Sequence, residues 1–313
     1  MATRNWTIEK IPDQRGRVVI VTGSSSGIGY EAARVLANKN AEVIIAVRNL
    51  EKGNAATERV HRQNRAADVK VMTLDLADLV SVKSFADEFR SKYSRLDRLI
   101  NNAGVMIPPY SKTADGFEMQ FGTNHLGHFA LTAQLLDVLN KTPESRVVNV
   151  SSSAHRWGNI DFDDLTWEKR RYRAWNAYGD SKIANLYFTS ALNGRLRAAG
   201  SSTIATSAHP GWTATELQRH TDFFGIAGIL NSLFAQDISM GALPTLRAAY
   251  DENAKGGEFY GPGGFLGMWG YPIQQQSNER SKDEAIAERL WNVSEELTGV
   301  KFEFNKIAKG ANK

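Results

Sequence analysis

Tyr178 and Lys182 stand four residues apart in Tyr-Gly-Asp-Ser-Lys. On a helix that spacing places both side chains on one face, one turn apart. A phenol titrates near 10, so tyrosine is a poor proton donor or acceptor at neutral pH without help. Bringing it to ~7 takes about 4 kcal/mol, and an ammonium ~4 Å away at an effective dielectric of ~20 supplies about that much. The pair therefore reads as an acid–base unit. Upstream lies a second chemical feature, the turn Thr22-Gly23-Ser24-Ser25-Ser26-Gly27-Ile28-Gly29. Either feature alone is weak, because Tyr-x-x-x-Lys recurs on helix surfaces and a glycine turn can simply join a strand to a helix.

The elements around them decide between these readings. Apolar, β-branched runs at about 18–21, 43–47, 69–72, 96–100, 146–150 and 203–207 read as strands. Helical patterns lie between them, at about 27–38, from the second strand to about 65, and at 80–93, 117–139 and 175–197. Continuous Val/Ile runs suit parallel strands covered on both faces. The alternation predicts an α/β fold, a Rossmann-type doubly wound parallel sheet with helices on both faces, in a single domain spanning 1–313. Further helices are expected at about 240–250 and 283–297, separated by a glycine-rich piece at 256–270.

In that setting the glycine turn closes a strand and opens a helix, where backbone can approach a pyrophosphate at the helix N-terminus. Its spacing is Gly-x-x-x-Gly-x-Gly, which departs from the common Gly-x-Gly-x-x-Gly. The acidic residue that usually grips NAD ribose sits about 20 residues on, at the end of the second strand. Here Arg48 holds that place. A guanidinium suits a 2′-phosphate, so NADP(H) is expected in preference to NAD(H), with Lys52 either assisting or solvated.

Composition narrows the class. Of 313 residues 42% are hydrophobic, the net charge is +4 and no cysteine occurs. That excludes disulfides, thiolate metal sites and a cysteine nucleophile. The His125, His128, His155 and His209 spacing suits packing or turns, and no metal site is expected. The only dense basic cluster, Lys169 to Arg173, reads as a solvated face, so nucleic acid is not an expected partner. Without an apolar leader or a run of ~20 apolar residues, the expected location is cytoplasmic.

Taken together these segments resemble the short-chain dehydrogenase/reductase superfamily, and within it the retinol-dehydrogenase-like branch, over about residues 16–302. The resemblance implies that Gly23, Ser25, Ser26, Gly27, Ile28 and Gly29 hold the cofactor, with Arg48. It adds Asp75 and Leu76 near the adenine, Asn102, Ala103 and Gly104 from Asn-Asn-Ala-Gly, and Pro210, Gly211 and Thr215 after His209. It also implies a catalytic set of Asn124, Ser152, Tyr178 and Lys182, with Ser151 and Ser153 as the competing serines. The interval from Ser152 to Tyr178 is about twice that of many members. The extra segment, about 155–174, matches an insertion in this branch and lies near the expected mouth of the site.

The implied reaction is hydride transfer between nicotinamide and a carbonyl or alcohol. Tyr178 handles the proton, Ser152 stabilises the oxygen, Lys182 tunes the tyrosine, and Asn124 holds a water. The aromatic stretch 221–234 lies where the family places a lid, at about 211–235, and favours a hydrophobic small-molecule substrate. A packed helix pair, a dimer surface and a membrane-surface contact are its other readings. Two further functions compete. One is reduction of an activated double bond, as in protochlorophyllide reductase, which the missing cysteine weakens. The other is a non-catalytic NADP sensor. A monomer or homodimer is expected.

Overall fold

The structure, a computed structural model, describes residues 5–213 and 236–304. Eight strands form one sheet: β1 (Val18–Thr22), β2 (Glu42–Val47), β3 (Val69–Thr73), β4 (Arg98–Asn101), β5 (Arg146–Val150), β6 (Ile204–Ala208), β7 (Phe259–Pro262) and β8 (Pro272–Gln275). Their order is β3-β2-β1-β4-β5-β6-β7-β8. Pairing is parallel from β3 to β7, and β8 closes the edge antiparallel to β7.

The helices are α1 (Gly27–Asn38), α2 (Leu50–Gln63), α3 (Leu79–Lys92), α4 (Gly127–Lys141), α5 (Ala174–Ala198), α6 (Ile238–Tyr250) and α7 (Glu284–Thr298). Every residue of β1 is buried, as its Val-Val-Ile-Val run requires. Alternate side chains then point to opposite faces. Val19, Val21, Val43 and Ile45 join α1, α2 and α6 in one core. Val18, Ile20, Ile44 and Ala46 join α3, α4 and α5 in the other, to which α7 adds Trp291. This is the doubly wound α/β sheet that the alternation predicts.

Boundaries differ where side chains compete with the backbone pattern. The fourth strand was expected from 96, but β4 starts at Arg98. The Leu96 N–H donates to the Thr142 hydroxyl instead. Asp97 turns inward, accepting from Val18 N and from the guanidiniums of Arg17 and Arg95. Helix α6 starts two residues early because Asp237 caps it, accepting from Ser239 N. The glycine-rich piece carries β7 and leads into β8, a hairpin the sequence did not announce. In place of one regular helix over 117–139, a single turn (Met119–Phe121) passes into a π-turn (Gly122–Leu126) and then α4. Of the expected lid at about 211–235, residues 214–235, including the aromatic stretch 221–234, lie outside the described residues. Among the described residues no helix is long and apolar enough to cross a membrane.

Asp97 is buried while both guanidiniums facing it are partly exposed. Asp97→Asn leaves those charges facing a neutral amide, so it should lower stability by about 2–3 kcal/mol. The urea midpoint checks this, and an unchanged midpoint rules the linkage out as a support of the fold.

Candidate active site

The C-terminal ends of β2, β1, β4 and β5 open into one cleft of about 400 Å³. Its floor is the glycine turn. Gly23 has φ +65, and a Cβ there would stand 2.8 Å from Ala103. A Cβ on Gly29 would collide with the Asn102 amide and the Gly23 carbonyl. Ser24 is committed to the turn, donating to the Val21 carbonyl at 2.7 Å, whereas Ser25 and Ser26 line the cleft. Arg59, from α2, braces the turn through the Ser25 carbonyl.

Thr22 ties this floor to the neighbouring strand. Its hydroxyl oxygen accepts from Asn102 N and Ala103 N, both at 2.9 Å. The Asn102 amide donates to the Thr22 carbonyl, also at 2.9 Å. Arg48 and Lys52 stand at one end of the cleft, and Asp75 and Leu76 line its side. The Asp75 carboxylate accepts from Ala77 N, and it is Asp78 that caps α3. A glycine-lined cradle at the N-terminus of a twelve-residue helix, with cations at one end, fits a dinucleotide.

Tyr178 and Lys182 enter the other end from α5, a helix buried from Ala177 to Thr189. The Lys182 ammonium lies 5.6 Å from the Tyr178 ring centre. It also donates to the Val150 carbonyl at 3.2 Å. Burial lowers Lys182 to about 8. Burial pushes Tyr178 up to about 12, against a hydrogen bond from Ser152 that pulls it down. Desolvation, which disfavours a buried phenolate, is the larger of these two effects on Tyr178.

The serines separate by geometry. Ser151 donates to the Lys182 carbonyl at 2.7 Å and is engaged with α5. Ser152 lies beside Tyr178 and accepts from Ala154 N at 3.2 Å, and it is Ser151, not Ser152, that lines the cleft. His155 holds Ser152 in place, its ring Nδ1 2.6 Å from the Ser152 carbonyl. Asn124 sits in the π-turn with its amide fully engaged. Oδ1 accepts from Val105 N at 2.8 Å, and Nδ2 donates to the Val105 carbonyl and the Ser181 hydroxyl. With its side chain spent on Val105 and Ser181, Asn124 has its backbone carbonyl left to hold the water that the resemblance implies.

All the expected cofactor residues from Gly23 to Pro210 line the cleft. Gly211 does not; it makes a positive-φ turn packed against Met268 and Pro262. Thr215 lies outside the described residues. Sequence reasoning missed Asn49, Leu74, Met106, Pro108 and Thr123, which line the cleft without any motif of their own. Arg170 also departs from expectation. It is stacked on Trp167 at 3.6 Å and faces Asp161, Asp164 and Asp180, so the insertion is tied to α5 rather than presenting a wholly solvated basic face.

This fold and cleft define a dinucleotide-dependent α/β protein, and comparison with known proteins identifies which. The short chain dehydrogenase family matches residues 17–222. Retinol dehydrogenase 12 of Mus musculus is 42% identical over 290 residues, covering 92% of this chain and 88% of its own. Retinol dehydrogenase 11 of Homo sapiens is 43% identical over 285 residues, covering 91% and 86%. A solved structure of an uncharacterised protein from Mycobacterium paratuberculosis is 44% identical with a TM-score of 0.81, covering 96% of this chain and 100% of its own. The chain belongs to the short chain dehydrogenase family, in its retinol-dehydrogenase-like branch.

Gly29→Ala places a methyl group against the Asn102 amide and the turn itself. It should weaken NADPH binding at least ~10-fold while leaving the far-ultraviolet circular dichroism intact. Fluorescence titration measures it, and wild-type affinity would remove the glycine cradle from the binding site.

Proposed function

We propose that the protein is an NADP(H)-dependent oxidoreductase that moves a hydride between nicotinamide and a hydrophobic carbonyl or alcohol. The observation that carries this reading is the pairing of Tyr178 and Lys182 at one end of a cleft whose other end presents Arg48 and Lys52, with Ser152 beside the phenol just outside the lining. Two cations where a ribose-binding carboxylate would otherwise stand favour the 2′-phosphate of NADP. The kinship to retinol dehydrogenases supports an apolar alcohol or aldehyde as substrate. Val105, Met106 and Pro108 add apolar surface to the cleft.

When bound, the nicotinamide supplies or takes up the hydride. The chain supplies the rest. In reduction Tyr178 gives its proton to the developing alkoxide, and Ser152 donates a hydrogen bond to the same oxygen. A phenol raised to about 12 is fully protonated at neutral pH and ready to act as the acid. Lys182, lowered to about 8, remains mostly charged there and stabilises the phenolate that is left. Asn124 fixes the 105 segment against α5 through Val105 and Ser181, and its carbonyl is the group that would hold a water. The proposal includes a cytoplasmic location and a monomer or homodimer.

Tyr178→Phe should leave NADPH affinity intact and lower turnover about 10²–10⁴-fold. In the wild type, alcohol oxidation needs the phenol deprotonated, so with Tyr178 near 12 its rate should climb through about pH 7 to 9 without levelling off, whereas reduction should not climb. Following absorbance at 340 nm with hydrophobic aldehydes, ketones and their alcohols tests both. Full turnover in the phenylalanine variant removes Tyr178 from the chemistry.

Arg48→Ala should raise the KM for NADPH about 10–100-fold and leave that for NADH nearly unchanged. Equal effects on the two cofactors would overturn the 2′-phosphate assignment.

A further inference from the structure

His128 is buried on α4, away from the cleft lining, yet both of its ring nitrogens are engaged. Nδ1 lies 3.1 Å from the Asn124 carbonyl, which can only accept, so Nδ1 carries the proton. Burial, reinforced by the charge of Lys182 and opposed by the bond to Asn124, lowers the ring to about 4. The imidazole is therefore neutral and Nε2 is an acceptor. The Thr22 hydroxyl donates to it at 2.9 Å. That same hydroxyl oxygen accepts the N–H groups of Asn102 and Ala103, which line the cleft.

A continuous line of hydrogen bonds thus runs from the cofactor wall through Thr22 and His128 to the Asn124 carbonyl. It ends near Lys182, whose charge acts on the His128 ring. The Asn124 side chain lies there too: a Cβ on Gly104 would stand 3.0 Å from its amide oxygen and 3.5 Å from the Lys182 ammonium. The π-turn shifts the helix ladder by one residue at this point, so the Asn124 carbonyl is not held by a regular α-helical repeat alone.

We propose that His128 is a positioning residue that couples the dinucleotide wall to the Asn124 carbonyl, through one ring nitrogen to each. The inference rests on the dehydrogenase reading above and extends it to a residue outside the cleft. It makes two separable claims, one for each nitrogen. Asparagine reproduces the donor near Nδ1, and glutamine reproduces the group near Nε2.

His128→Asn should therefore keep kcat within about threefold of wild type and weaken NADPH binding about fivefold. His128→Gln should do the reverse, keeping affinity and losing about tenfold in kcat. A residue that merely fills the core would lower both quantities together, in step with thermal stability. Matching losses in the two variants overturn the proposal. Thr22→Ser and Thr22→Val leave His128 in place and test the same line should the histidine variants not fold. The serine variant should keep the line intact, and the valine variant, which leaves the Nδ1–Asn124 bond in place, should weaken NADPH binding at least about fivefold with kcat within about threefold; a valine variant with wild-type affinity overturns the Thr22–His128 half of the proposal. Wild-type turnover on the aldehyde panel is measured first. Its absence counts against the dehydrogenase reading alone, because NADPH titration of the variants still judges the Thr22–His128 half.

Discussion

The rest of the structure depends on burying an ammonium. Lys182 sits in a helix that is covered from Ala177 to Thr189, and its charge must survive there at neutral pH. Isolated, such a group would lose its proton or open the fold. The structure answers with carbonyls and close packing. Val150 accepts from both Lys182 and Asn185, and Ser151 fastens the Lys182 carbonyl to the end of β5. Cover comes from several directions. The sheet lies beneath α5, α7 lies across it, and the insertion is pinned to it by the bond from Asn159 N to Asp180.

That insertion is better anchored than a solvent loop of its composition would be. Tyr172 donates to Glu118, and the Gln120 amide bonds both the Tyr172 hydroxyl and the Ala174 carbonyl. Glu118, buried against these groups, is pushed up by desolvation. The Ile107 N–H donates to the Gln120 side-chain oxygen. One polar cluster thereby joins the insertion, the start of the catalytic helical run and the loop that lines the cleft. Site geometry here is a property of contacts between segments, not of any one motif.

Much of this was legible in the sequence, and the limits have physical reasons. Parallel strands buried on both faces leave unmistakable Val/Ile runs, which is why β1, β2 and β5 stood out. The β7–β8 hairpin did not, because Phe-Tyr-Gly-Pro and Pro-Ile-Gln-Gln carry glycine, proline and amides that read as loop. The π-turn was invisible, since one extra residue in a helix leaves no hydrophobic signature. In the site, glycines and Asn-Asn-Ala-Gly were readable because backbone approach demands particular residues. Met106 and Thr123 were not, because lining a wall demands only size. The spacing of the histidines reads as packing or turns and says nothing of the partners that His128 and His155 find across the fold. Spacing reveals a charge near the phenol but not the depth of burial that opposes it.

Helix α7 carries an implication for how the protein is made. His125 bonds Ser294, the Tyr187 hydroxyl donates to the Arg280 carbonyl, and Trp291 packs beneath Arg195. Every one of these links joins the catalytic half of the chain to residues translated about a hundred positions later or more. During synthesis the cofactor turn and the Tyr178 helix emerge well before the segment that packs on that helix. The packing of α5 is therefore completed last, after Ser294 has been made.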